Sequence, residues 1–397
     1  MGMSEALRSK QDVGGTRPRL VDRRLALVFA ATFASLTGVF LLLSVVPMYA
    51  SASGAGGVGA GLATGALMLS TVLAELALPR LLARFGYRPV FAAGLVLLAL
   101  PPIALAFASD MATITAVSLV RGLGFGVSVV VTNALVAAIV PAERRGEALG
   151  LFGLTAGLPT VLALPLGVWL AGHVGYTPVF LAATAVTLAA LATLPGIPAL
   201  RPEPAGAERA LGIVAGLRTA ALLRPAAAFA ATAMAAGILV TFLPEAVPDG
   251  RLAAAALLVQ PAATTFTRWW AGRAGDRHGA GRLLPPALVA AGGGVALLVL
   301  VPDPVAVLVA MALFGAGFGV AQNVSLAVMY ERVPPSGYGT VSAVWNIGYD
   351  GGMGAGGAAF GVIAAQTGYP PAFALTAGVI VLAVPLTLSR RVPRRRK

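Results

Sequence analysis

The chain has 397 residues, 58% of them hydrophobic and only 11% charged, with a mean hydropathy of +0.88 and a formal net charge of +13. A soluble protein of this length would carry about 25% charged residues, so a water-soluble globular fold is excluded. There is no cysteine, which excludes disulfides and thiolate metal sites and leaves the redox compartment unread.

Apolar runs of about 20 residues, the length of a helix that crosses a bilayer, follow one another almost without pause. Residues 1–24 are basic and polar, but the apolar run behind them continues for about 25 residues without a small-residue cleavage site, which predicts a retained first span rather than a removed signal peptide. Twelve helices are expected. Helix 1 (25–50) carries Thr37, Phe40, Ser44 and Tyr49, and helix 2 (57–79) carries Glu75. Helix 3 (89–108) is apolar, whereas helix 4 (111–140) places Arg121, Phe125, Ser128 and Thr132 on one face by the i, i+4, i+7, i+11 spacing. Helices 5 (148–171) and 6 (177–198) lead to a polar connection, 199–224, that holds Arg201, Glu203, Glu208, Arg209, Arg218 and Arg224. Helix 7 (225–247) follows, then helix 8 (252–272) with Gln260, Thr264 and Thr267 on one face. Helix 9 (283–301) precedes helix 10 (304–331) with Phe318, Gln322, Asn323 and Ser325. Helix 11 (339–364) carries Trp345, Asn346, Tyr349 and Asp350, and helix 12 (370–388) is the last. The expected organisation is an N-terminal six-helix bundle (1–200, with a tail over 1–24), a connecting loop (201–224) and a C-terminal six-helix bundle (225–397) ending in a basic tail.

With the N-terminus inside, every lysine and arginine except Arg121 and Arg251 falls in a segment on the inner side. Cytoplasmic loops are enriched in these residues. The basic charge therefore reads as a topology signal that puts both termini in the cytoplasm of a cell (inner) membrane protein, and nucleic-acid binding is dropped.

Shifted by 193 residues, the sequence falls back on itself. Gly122, Gly124 and Gly126 land on Gly315, Gly317 and Gly319; Pro141 lands on Pro334, and Gly175-Tyr176 on Gly368-Tyr369. Two copies of one six-helix unit in parallel orientation place a substrate site at the bilayer midplane between them.

The segment after helix 8 reads Gly272-Arg273-Ala274-Gly275-Asp276-Arg277-His278-Gly279. Glycine permits close helix approach, and arginines can bridge carboxylates across a gate. After helix 2 the equivalent segment holds Arg84, Gly86 and Arg88, with Pro79 and Ala83 where the other copy has Gly272 and Asp276. These motifs, with Arg121 followed by a glycine-rich turn on helix 4, resemble the major facilitator superfamily, and its bacterial drug- and sugar-efflux type members most closely. Helix 5 holds Gly153, Gly157, Pro159, Pro165 and Gly167, similar to the antiporter motif of that family but with the proline displaced. The resemblance implies an all-α integral membrane fold of twelve transmembrane helices in two pseudo-symmetric bundles. It implies a cavity lined by helices 1, 4, 7 and 10, an interface between the bundles made by helices 2, 5, 8 and 11, and a cytoplasmic gate at Gly272, Asp276, Arg277, Gly279, Arg84, Gly86 and Arg88.

Residues common to both copies serve the fold, so polar residues unique to one copy need another reason. Arg121 maps to Phe314, Asp350 to Gly157, and Glu75 to Arg268. An ionisable group within an apolar helix costs at least ~2.5–3.5 kcal/mol and faces a partner or a cavity. For Arg121 the alternatives are a structural bond or a hold on an anionic group. For Asp350 they are packing in a glycine-rich helix or proton coupling, since a carboxyl taken out of water favours its neutral form. Glu75 either pairs with Arg80 or Arg84 or takes part in coupling. Asp350, Arg121, Asn346, Glu75, Gln260, Gln322, Asn323, Thr264, Tyr349 and Trp345 form the candidate coupling and substrate set, with interhelical hydrogen bonding as the alternative for the polar members and core packing for the aromatic ones.

The expected function is secondary transport by alternating access: proton-coupled efflux of small, largely apolar molecules, or uptake of a small solute on the same fold. The two histidines, His173 and His278, lie at loops on opposite sides, no metal-ligand cluster is spaced for binding, and no phosphate-binding loop is present. No enzyme activity or cofactor is implied. The expected partners are the lipid bilayer, a small-molecule substrate and the proton, for a chain that works as a monomer.

Overall fold

The computed structural model describes residues 22–140, 144–201, 213–334 and 337–388. The tails 1–21 and 389–397 and the middle of the central connection lie outside them. Among the described residues there is no strand, and twelve long helices follow in chain order. They are α1 (Arg23–Leu43, continued by Val45–Ala50), α2 (Gly56–Phe85), α3 (Tyr87–Ala99), α4 (Met111–Ile139), α5 (Arg145–Val174), α6 (Tyr176–Ala189), α7 (Ala220–Ala246), α8 (Gly250–His278), α9 (Leu284–Leu297), α10 (Pro304–Tyr330), α11 (Tyr338–Thr367) and α12 (Tyr369–Thr387). Among the described residues, nine helical runs are long and apolar enough to cross a membrane. The first of these, Arg23–Phe85, contains both α1 and α2, joined through a turn in which Gly54 has φ 99°. α8 and α11 are not among these runs; α8 carries Arg251, Arg268, Arg273 and Arg277, and α11 is rich in glycine and carries Asp350.

Local chemistry sets the ends of the helices. Asp22, Asp110, Asp249 and Asp303 accept hydrogen bonds from the first-turn amides of α1, α4, α8 and α10, which satisfies donors a helix leaves unpaired. Gly86, Gly175, Gly279 and Gly368 stop α2, α5, α8 and α11 with φ of 83°, 82°, 84° and 80°, a left-handed corner that glycine adopts without a Cβ penalty. Gly86 and Gly279 are one pair under the 193-residue shift, and Gly175 and Gly368 the other.

The same shift relates the packing. α4 sits against α2 and α3 as α10 sits against α8 and α9, and α1 sits against α5 and α6 as α7 sits against α11 and α12. A Cβ at Gly122 would collide with the Leu67 carbonyl, one at Gly124 with that of Gly94, and one at Gly126 with that of Thr71. In the second copy Gly315, Gly317 and Gly319 would collide with the carbonyls of Gln260, Ala287 and Thr264. The Thr71 hydroxyl donates to the Gly122 carbonyl (3.1 Å) as the Thr264 hydroxyl donates to that of Gly315 (3.1 Å). The duplicated glycines thus bring α4 and α10 within backbone contact of their neighbours, a small-residue approach that suits helices without a hydrophobic drive between them.

The two halves meet along α2–α11 and, by symmetry, α5–α8, with α1 touching α7. These contacts crowd the end remote from the arginine-rich segments. Gly57 faces Gly361, Gly61 faces Gly357, and Gly65 faces Ala358. Ser44 donates to the Val240 carbonyl at 2.5 Å, and the hydroxyls of Thr64 and Thr241 lie 2.7 Å apart. Toward the arginine-rich end, Gly150, Gly153 and Gly339 face open space. At the remote end the halves are closed on one another through these contacts.

Candidate functional site

α2 and α11 run antiparallel through their row of small residues, and the row ends on two acids. Glu75 of the first half and Asp350 of the second stand side chain to side chain within hydrogen-bonding reach. Such a bond exists only while one carboxyl carries a proton, because two anions in contact in apolar surroundings repel. Glu75 therefore meets a carboxyl rather than Arg80 or Arg84. α11 is continuous from Tyr338 to Thr367, and Asp350 is buried within it. The symmetry-related interface has no such pair, since Arg268 on α8 and Gly157 on α5 take the two equivalent positions. Arg268 and Asp350 both lie within electrostatic reach of the Tyr349 hydroxyl. Counted with the loop cations in the sequence, Arg268 lies ten residues inside α8; it is enclosed by protein yet keeps exposed surface, as a side chain does in an opening between helices.

Asn346 lies one turn from Asp350 on α11. Asn346, Gln322 and Asn323 are half-buried, and their amides make no hydrogen bond among the described residues. Other members of the polar stripes are satisfied by their own neighbourhood. Ser128 donates to Gly124, Thr132 to Ser128, and Thr264 to the carbonyls of Gln260 and Gly315, while the Gln260 amide donates to Thr264. Gln260 and Thr264 thus act within the α8–α10 contact. Trp345 and Tyr349 stack with Phe229 of α7, the Trp345 ring 4.6 Å from Phe229 and 11° from parallel.

Arg121 does not reach the acids. It is 2% exposed, and its Nε and Nη2, like the nearby Ser118 hydroxyl, have no hydrogen-bond partner among the described residues. Both line a void of about 10 Å³ with Thr64, Leu67 and Leu43, between α1, α2 and α4. That is room for one water.

The gate residues lie near the arginine-rich end, on and beside α2 and α8. Gly86 and Gly279 form their corners, and the Tyr87 amide after Gly86 donates to Leu200 (3.0 Å). Arg84 is exposed over the Phe85 ring at 5.1 Å, Arg88 is half-buried, and Arg277 is exposed. A Cβ at Gly272 would face the Asn323 amide at 3.7 Å. The side chain of Asp276 lies outside the described residues.

One further acid was not singled out from the sequence. Glu245, near the sealed end of α7, accepts a hydrogen bond from Tyr369 (2.9 Å) and lies within reach of the Ser51 hydroxyl of the first half. The repeat held the signal, because Glu245 maps to Ala52.

The sequence profile of the Major Facilitator Superfamily matches residues 28–352 and 249–397. The chain belongs to the major facilitator superfamily. No curated protein matches the chain. Among solved structures, this major facilitator chain is similar to the nucleoside transporter NupG. A point-mutant form aligns with a TM-score of 0.74 at 15% identity, covering 91% of this chain and 98% of that one. The unmutated form aligns at 0.73 and 14%, with the same coverage. At that identity the likeness carries the fold. The chain is accordingly a multi-pass transporter of the superfamily, and the twelve-helix plan expected from the sequence holds.

Proposed function

We propose that the protein is a proton-coupled secondary transporter in which the Glu75–Asp350 pair carries the coupling proton between the two halves. The contact itself supports this reading: two carboxyls, one from each half, meet at the interface that alternating access must rearrange. With one shared proton the pair bridges the halves. Without it, two charges at about 4 Å repel by about 4 kcal/mol at an effective dielectric near 20, more than the 1–3 kcal/mol of typical allosteric coupling. Proton release is then sufficient to bias one packing of α2 on α11 over the other.

We place the arginine-rich end in the cytoplasm of the inner membrane, so that the sealed end faces outward. The cargo is a small, largely apolar molecule, since the groups left free around α10 and α11 are amides and a phenol, and its direction is export against proton entry by a monomer. Uptake is the second reading, favoured by the departure of α5 from the antiporter motif. Gly272, Asp276, Arg277 and Gly279, with Arg84, Gly86 and Arg88, form the cytoplasmic gate.

Reconstituted vesicles with an imposed pH gradient test this. Asp350→Asn and Glu75→Gln should each abolish gradient-driven accumulation while substrate counterflow and thermal stability persist. Unchanged accumulation in Asp350→Asn defeats the reading, and transport in inverted against right-side-out vesicles decides direction.

A further inference from the structure

In the second half, rings from α7, α10 and α11 share one orientation. Phe229 is the buried base. Trp345 lies 11° from parallel to it at 4.6 Å, Tyr349 15° at 5.8 Å, and Phe318 16° at 5.9 Å. Trp345 and Tyr349 are 5° from parallel to one another at 5.8 Å. Aromatic pairs in a core are free to adopt edge-to-face geometry, and the first half does so where Tyr49 meets Phe180 at 80°. Here every contact among these four rings is stacked. The Trp345 indole N–H donates to the Ser325 hydroxyl at 3.0 Å, which fixes the plane of that ring. Phe229 is fully buried, whereas Trp345 and Tyr349 are half-buried. Next to Trp345 on α11 stands Asn346, whose amide makes no hydrogen bond among the described residues.

A set of fixed, co-oriented rings with two partly open members offers a flat surface, and the amide of Asn346 at its margin offers a donor and an acceptor. We propose that this array is the substrate platform and that the substrate class is a planar aromatic or heteroaromatic ring with hydrogen-bonding groups at its edge. The ring lies against Trp345 and Tyr349, and Asn346 reads its edge. This rests on the transporter reading above and narrows its cargo. Ring stacking tolerates many ring types, because each has a π face, so the platform selects shape first and edge chemistry second.

Two pairs of probes isolate the ring: nicotinamide against cyclohexanecarboxamide, and adenosine against ribose. Binding is measured on the full chain in lipid nanodiscs, and also in a Trp169→Phe, Trp269→Phe, Trp270→Phe variant, in which Trp345 alone reports. The planar member of each pair should quench Trp345 fluorescence and bind at least about tenfold more tightly than its partner. Trp345→Leu should weaken that binding by about 5- to 150-fold, the range for loss of one stacked ring, while Trp345→Phe stays within about threefold. Equal affinity within each pair, absence of binding by both planar probes, or unchanged affinity in a folded Trp345→Leu variant overturns the proposal. Proton flux is measured in vesicles of the same preparation. Flux that depends on Asp350 without any preference for the planar ring sinks the substrate class alone, whereas planar binding without flux sinks the coupling reading alone.

Discussion

Glu75, Asp350 and Arg121 are ionisable residues inside apolar helices, yet their surroundings differ in kind. Glu75 and Asp350 meet each other, so the cost of each is shared through a proton. Arg121 has no such relief among the described residues: two of its nitrogens are buried there without partners beside a void of one-water size. Replacing a buried charge that lacks good partners with an apolar side chain of similar volume is neutral or stabilising, by up to about 1–4 kcal/mol. Arg121→Met should therefore leave the thermal unfolding temperature in detergent unchanged or raise it, while transport falls if Arg121 serves the cycle. A drop of several degrees would mean that bound water, not function, keeps Arg121 in place. The repeat comparison could flag all three residues, because each breaks the 193-residue symmetry. It could not say which of them touch.

At the scale of the element, the glycines on α4 and α10 carry the packing. A Cβ at Gly315 would meet the backbone of α8 at Gln260, and backbone cannot swing aside. Gly315→Ala should destabilise by about 1–3 kcal/mol, the usual cost of overpacking, and Gly122→Ala should do the same against Leu67. Gly378 on α12 has open space around it, so Gly378→Ala should stabilise by up to about 1 kcal/mol through helix propensity. Thermal unfolding of the three variants reads these signs, and destabilisation by Gly378→Ala would argue that propensity in the membrane follows other rules. This level was legible in advance. The helices lie where the apolar runs and the Gly and Pro corners put them, since both signals are local. The sorting of the polar stripes was not legible: Ser128, Thr132 and Thr264 share a helix face with plausible cavity groups, but their hydroxyls return to backbone carbonyls within reach. The longer amides of Asn346 and Asn323 make no hydrogen bond among the described residues.

Across the whole molecule, the polar links between halves at the sealed end include Ser44 to Val240 and Thr64 to Thr241. Both must part when that end opens. The chain has no cysteine, which gives a clean background for a staple. Thr64→Cys with Thr241→Cys, whose wild-type hydroxyls are 2.7 Å apart, should form a disulfide under oxidation that stops transport, and reductant should restore it. Full transport by the oxidised, cross-linked protein would show that this end need not open.

The sequence by itself determined the solvent, the number of spans, the duplication and the glycine contacts, because hydropathy, helical period and left-handed corners depend on residues near one another in the chain. Only the tertiary structure decided which groups meet: Glu75 with Asp350, Glu245 with Tyr369, the rings of α7 with those of α11, and Arg268 deep in α8 rather than at its loop. Helical spacing assigns a residue to a face, but the rotation and crossing of two helices distant in sequence decide what that face touches.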